Sequence, residues 1–189
     1  MLTEQDRQQL RNEIEEFHRW WAGDKNKPLV LKRHQNYCPC EILFPNQLEN
    51  VKFYLRFAAM RIISILPSST LKIYFYRLMG AKIGKDVFIS LGVFIDAFYP
   101  WLIEIEDDVF LGTGCRLLTH EYTADCFRAG LVRIGKGSVV GGWSTIRCGV
   151  TLGQKVTTGL GSVVVSDVAD GLSVGGVPAR PLKSGKDGS

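Results

Sequence analysis

The groups in this 189-residue chain that could do acid–base, nucleophilic or metal chemistry include three histidines and five cysteines, and most of these stand alone. His18 lies beside an apolar helical stripe, and His34 sits in an irregular basic stretch without a companion ligand nearby. Cys38-Pro39-Cys40 lacks both the CxxC spacing and the second pair that a zinc site needs. With Cys115, Cys126 and Cys148 the cysteine count is odd, which reads as reduced thiols in a cytoplasmic protein. His120 is different. It stands in Thr119-His120-Glu121-Tyr122, where a six-residue rhythm of aliphatic residues breaks off. Imidazole titrates near neutrality, so a histidine held at such a break suits general-base work. Asp96 and Glu121 are candidate carboxylates to orient that ring or to hold an acceptor. The bland alternative for each is a solvated corner carboxylate.

The element that must position His120 is a repeat. From Ile134 an aliphatic or small residue returns every six positions, at Val140, Ile146, Leu152, Thr158 and Val164. The same beat runs through Ile83, Ile89 and Ile95 and through Ile105, Leu111 and Leu117. Four residues after most of these comes a second small or β-branched residue, as at Val87, Val109, Ser138, Ser144, Val156 and Ser162. Consistency at two phases of one hexad predicts a parallel β-helix, in which three short strands form each triangular coil and the aliphatic residue points inward. Glycines such as Gly84, Gly92, Gly114, Gly137, Gly149 and Gly161 would permit positive φ at the corners. Thr158 breaks the pattern and is expected to be buried near the C-terminal end with its hydroxyl bonded to backbone.

Upstream the pattern is helical. Thr3 and Asp6 form a loose capping box, Leu10, Ile14, Phe17 and Trp21 recur at helical spacing, and Gly23 is a plausible stop. Trp20 and Trp21 read as packing residues for the same subunit or a neighbour. Residues 24–47, with Pro28, Pro39 and Pro45, read as loop or short extended pieces. A helix from Gln47 to about Leu66 has Val51, Tyr54, Leu55, Ala58, Ile62 and Leu66 on or near one side. A shorter one follows from Thr70 to Met79, closed by Gly80. Terminal repeats need caps, and covering the open end of the stack is the first reading of these helices; lying on a membrane surface is the second.

The formal net charge of +4 is local. Residues 25–80 carry nine Lys or Arg against Glu41 and Glu49, whereas the repeat half from Ala81 is balanced at 11 of each sign. The acidic, helix-like N-terminus argues against a signal peptide. The apolar stretch from Phe53 to Leu66 is interrupted by Arg56 and Arg61 and is shorter than the ~18 apolar residues of a membrane span. No feature points to nucleic acid. The organisation expected is a helical extension or cap over 1–80, a β-helix over 81–183 and a flexible tail over 184–189.

The hexads, the Leu118-Thr119-His120-Glu121-Tyr122 break and the ending Gly171-Leu-Ser-Val-Gly-Gly176-Val177-Pro178-Ala179-Arg180 resemble the hexapeptide-repeat acetyltransferases. Within them the chain is similar to the maltose and galactoside O-acetyltransferases and to acyltransferases of polysaccharide biosynthesis. The likeness covers about Arg77 to Lys183. It implies an all-β fold, a left-handed parallel β-helix, here with an N-terminal α-helical extension. It also implies a cytoplasmic homotrimer, with acetyl-CoA in a groove between adjacent prisms and a sugar or saccharide as acceptor. By position, His120 takes the part of the catalytic base, and a backbone N–H around Gly142 that of the oxyanion donor. Leu160, within Gly159-Leu160-Gly161-Ser162, would line the pantetheine arm, and Arg180 would meet the nucleotide end of CoA. Val165 and Ser166 stand where members often carry the Thr-Lys pair that meets the CoA phosphates. No metal is expected, since a zinc carbonic anhydrase on this fold needs three histidines and the repeats hold one. The competing readings are N-acetylation of an amino sugar or small amine, and a non-catalytic assembly module. The basic N-terminal segment also allows peripheral contact with the inner face of the membrane.

Overall fold

The computed structural model describes residues 4–25, 27–32, 47–123 and 125–182; His34, Cys38, Cys40, Lys183 and the tail 184–189 lie outside them. The N-terminal part comprises α1 (Glu4–Ala22), β1 (Leu29–Lys32), α2 (Gln47–Ser64) and α3 (Ser69–Leu78). The repeats follow as four coils. The first holds β2 (Lys82–Ile83), β3 (Phe88–Ile89) and β4 (Phe94–Ile95), and the second β5 (Ile103–Ile105), β6 (Phe110–Leu111) and β7 (Arg116–Leu117). A hairpin of β8 (His120–Tyr122) and β9 (Cys126–Ala129) interrupts the winding. The third coil holds β10 (Val132–Ile134), β11 (Val139–Val140) and β12 (Thr145–Ile146), and the fourth β13 (Thr151–Leu152), β14 (Thr157–Thr158) and β15 (Val163–Val164). The antiparallel pair β16 (Ser173–Gly176) and β17 (Ala179–Pro181) ends the stack.

Each coil contributes one strand to each of three sheets, and the coils pair in parallel. In the first sheet Ile83, Ile105, Ile134 and Leu152 are stacked partners; in the third, Ile95, Leu117, Ile146 and Val164 are. Both sets point inward and are buried, as are the second-phase residues Val87, Val109, Ser138, Ser144, Val156 and Ser162. A two-residue strand has too few hydrogen bonds to persist alone; burial of these aliphatic side chains, about 2 kcal/mol each before ordering costs, holds the coils together. Thr158 is 2% exposed, and its hydroxyl accepts from the Gly141 N–H at 2.9 Å. That bond lets a polar residue occupy an aliphatic place.

The corners are sharper in their demands than the hexads suggest. Gly92, Gly114, Gly137, Gly149 and Gly161 have positive φ, but Gly84 does not; in that turn the left-handed residue is Asp86 (φ 54°). Gly84 is small for another reason: a Cβ there would lie 2.7 Å from the Asp107 backbone nitrogen in the next coil.

Helix α3 closes the open end. The first coil has no coil beneath it, so its backbone groups need other partners. Tyr76 donates its hydroxyl to the Val93 carbonyl at 3.1 Å, Lys72 Nζ to the Ser90 carbonyl at 2.6 Å, and Arg77 to the carbonyls of Ile83 and Gly84. Ser69 Oγ accepts from the Ile89 N–H, and the Ser64 carbonyl from that of Gly92. Burial lowers the pKa of the Lys72 ammonium below the usual lysine value and pushes the Tyr76 phenol above its own. The inward face of helix α2 is set by the first coil. The side bearing Val51, Tyr54, Leu55 and Ile62 is the exposed one, and the helix instead buries Met60 and Ile63 against the prism. Apolar residues surround this helix, so periodicity could not choose the inward face. Among the described residues no helix is long and apolar enough to cross a membrane.

A second core lies beside the prism. Leu29, Leu31, Tyr99, Leu102, Phe127 and Ala129 are buried there, with Phe17, Trp20, Trp21 and Trp101 packed against them. It joins α1 and β1 to the extruded hairpin, since β1 pairs with β9, from Leu29 opposite Ala129 to Lys32 opposite Cys126.

Candidate active site

Asp96, Leu118, Arg147 and Val165 follow the stacked residues Ile95, Leu117, Ile146 and Val164, so they form a vertical file at one corner of the prism. The chain leaves the winding at this corner twice. After Asp96 it makes a short loop with a 3-10 turn at Pro100–Leu102; after Leu118 it extrudes the β8–β9 hairpin. His120, on β8, is thereby held over Asp96.

The Asp96 side chain is 2% exposed. Its Oδ2 lies 2.5 Å from His120 Nδ1 and accepts the Thr119 N–H at 3.0 Å, and its Oδ1 accepts the Phe98 N–H at 3.0 Å. Burial alone would raise the Asp96 pKa, but the hydrogen bond and charge of His120, with the two backbone donors, outweigh it and hold the carboxyl below the usual range. In the neutral ring, a carboxylate on Nδ1 favours the tautomer with its proton on Nδ1, which leaves the Nε2 lone pair available. The ring is packed by Phe98, with centroids 4.1 Å apart, and edge-on by Tyr99 and Tyr122 at 6.1 and 5.7 Å. Such packing leaves the imidazole little freedom to rotate.

Glu121, the other carboxylate singled out in the sequence, is not on the histidine. It pairs side-on with Arg147, with Arg147 Nε 2.8 Å from Oε2, and Arg128 NH1 lies 3.2 Å from Oε1. The Arg147 hydrogen bond is the main reason its pKa is lowered, against an opposing effect of burial. Arg128 is the cross-strand partner of Glu121 in the hairpin, and Arg147 belongs to the third coil. The pairing therefore bolts the hairpin to the coil above, while His120–Asp96 bolts it to the coil below. Arg147 was missed in the sequence. The signal was there, since it follows Ile146 as Asp96 follows Ile95, but it appears only once the coils are aligned with the insertions removed. The aromatic packing of Phe98 and Tyr99 has no such signal, because it arises from an irregular loop.

The remaining positions lie toward the C-terminal end. A Cβ built on Gly142 would lie 3.5 Å from Leu160 Cδ2, and the Gly161 N–H donates to the Gly142 carbonyl at 2.9 Å, so Gly142 and Leu160 share the edge between the second and third sheets. Leu160 is 82% exposed. Val165 and Ser166 follow β15 at the next edge, and Arg180 is exposed on β17, where NH1 donates to the Ala179 carbonyl at 2.9 Å. Ser166 lines a small cavity of about 250 Å³ with Val164, Val174 and Ala179. Cys115 and Cys148 are buried, with thiols pushed up to about 12 by burial, which does not suit nucleophilic work. Among the described residues no group of three or more His, Cys, Asp or Glu side chains could hold a metal ion.

The chain is 32% identical over 131 residues to YvoF of Bacillus subtilis (strain 168), which bears the name of an acetyltransferase; the match covers 69% of this chain and 76% of that protein. Among solved structures, its fold is similar to a hexapeptide-repeat acetyltransferase from Vibrio cholerae O1 biovar eltor complexed with acetyl coenzyme A. There the TM-score is 0.59 at 21% identity, covering 76% of this chain and 93% of that one. A galactoside acetyltransferase in complex with coenzyme A gives 0.56 at 18% identity, covering 88% and 89%. No family model matches the chain.

Proposed function

The chain belongs to the hexapeptide-repeat acetyltransferases, and from that premise we propose that it transfers an acetyl group from acetyl-CoA to a hydroxyl of a sugar or saccharide, with His120 as general base. The observation that carries this reading is the 2.5 Å contact between His120 Nδ1 and the buried Asp96 carboxylate. It leaves Nε2 free to accept the acceptor's hydroxyl proton as that oxygen attacks the thioester carbonyl. A backbone N–H near Gly142, contributed by the neighbouring copy that completes the groove, steadies the oxyanion, and the C–S bond then breaks. Nε2 returns its proton to the departing sulfur, so the imidazole ends neutral, as it began. Asp96 is a positioning residue here, stabilising the imidazolium that forms between the two transfers.

Leu160 supports a groove for the donor because it is exposed along the edge it shares with Gly142, and Arg180 stands beyond it at the end of the stack. The groove is completed by a neighbouring copy in a homotrimer. An outward ladder of Phe88, Phe110 and Val139 on the second sheet, 48%, 42% and 37% exposed in the single chain, supports an assembly that covers it. The winding is taken as left-handed with the family. The division into a helical cap over 1–80 and a β-helix over 81–183 belongs to the same proposal.

His120→Ala should keep the circular dichroism and melting profile of the fold while kcat falls by about a thousandfold. Asp96→Asn should lower kcat by about a hundredfold or more, with KM for acetyl-CoA little changed. Undiminished turnover in His120→Ala would sink the assignment.

A further inference from the structure

Four corner positions stack along the edge between the second and third sheets. Three are glycines in the left-handed region, Gly92 (φ 69°), Gly114 (φ 68°) and Gly161 (φ 66°). The fourth is Trp143, at φ 61°. That region is disfavoured for any residue with a Cβ, and a bulky side chain there marks either strain or use. The indole is 67% exposed, so burial in its own core does not offset the strain. It lies across Gly114, where an added Cβ would come within 2.8 Å of two of its ring carbons. The backbone thus holds an aromatic face outward over a site that only glycine can vacate.

Trp143 lines a cleft of about 750 Å³ that runs along the third sheet to helix α2. Arg116 from β7 and Arg61 from α2 also line it, and no carboxylate does. Among the described residues neither guanidinium has an ion-pair partner; Arg61 lies over the Phe94 ring, 5.8 Å from its centroid. The cleft reaches Leu118 and Phe94, which are two residues from His120 and Asp96 respectively, so it adjoins the corner that carries the dyad.

We propose that this cleft takes the acceptor, and that the acceptor is a saccharide carrying a phosphate ester. The indole of Trp143 receives the apolar face of the sugar ring, and Arg61 and Arg116 receive the phosphate. The proposal rests on the acetyltransferase reading for the word acceptor. It does not rest on it for the binding itself, which is set by two unpaired cations flanking a solvent-facing aromatic plane.

Calorimetric titration of the full chain tests this with hexose 1-phosphates, the matching free hexoses and inorganic phosphate. The sugar 1-phosphate should bind on the order of tenfold or more tighter than either fragment. The double variant Arg61→Gln/Arg116→Gln should lose that preference, and Arg116→Lys should restore part of it. Trp143→Gly gives this corner the residue of the other three coils, so the fold is kept, and it should weaken the sugar and its phosphate alike. A nucleoside diphosphate sugar and a short prenyl diphosphate sugar, used as competitors, identify whether the phosphate comes from a nucleotide or a lipid carrier. Displacement by one or both supports the proposal, and displacement by neither overturns it. It is also overturned if the free sugar binds as well as its phosphate, if the variants leave the affinity unchanged, or if they weaken acetyl-CoA instead. Acetyl transfer is read separately. Binding as described without any transfer would sink the acetyltransferase reading and leave the cleft standing. Transfer to neutral sugars at unchanged kcat/KM in the arginine double variant would do the reverse.

Discussion

At the scale of residues, the site depends on two carboxylates with different tasks. Asp96 serves the histidine, and Glu121 serves the hairpin that carries it. Both have folded-state pKa values below their ordinary ones, so each contributes stability that is fully present above the unfolded value, about 4, and is lost as pH falls through the folded one. Stability measured by denaturant should therefore drop on acidification below about pH 4. Glu121→Gln should flatten that slope and lower stability at pH 7 by about 1 kcal/mol, discounted for its partial exposure. An unchanged slope would mean the Arg147 pairing is not kept in solution. His120 was visible in the sequence because it stands where a rhythm stops, and Asp96 because it closes another run. Arg147 and Trp143 were not, since each looks ordinary until the coils are stacked.

At the scale of elements, the repeats were legible residue by residue because every hexad repeats one environment. Ile134, Val140, Ile146, Leu152, Thr158 and Val164 all face inward. The helices were found with ends within a few residues of those observed, and Phe17 and Trp21 of α1 pack inward as their spacing suggests, but the inward face of α2 could not be read. Helix α2 offers apolar residues on both sides, and only the position of the first coil decides that Met60 and Ile63 go in. The strand β1 fell within a segment read as loop or short extended pieces, since its partner is a hairpin whose presence no local pattern announces.

At the scale of the whole molecule, the side of α2 that no described residue covers matters most. Val51, Tyr54, Leu55, Ile62 and Ile65 are each more than half exposed there, beside Lys52 and within a segment carrying nine bases and two acids. Such a face suits an anionic bilayer surface, in the manner of an interfacial helix. Sedimentation with vesicles rich in anionic lipid should pull the protein down at low salt and release it at high salt. Protein that stays in the supernatant at low salt would rule out this contact.

The sheet that joins β1 to the hairpin sets a timetable. Successive coils of the prism pair residues as close as eighteen apart, Ile134 with Leu152, whereas Leu29 must find Ala129 across a hundred residues. Closing the longer loop costs more entropy and comes later. The prediction is that refolding passes through a wound but inactive prism, with tryptophan burial in α1 and recovery of catalysis sharing a slower phase than strand formation; simultaneous recovery of all three would refute it. Activity would then be the last property this chain acquires and, on gentle denaturation, the first it loses.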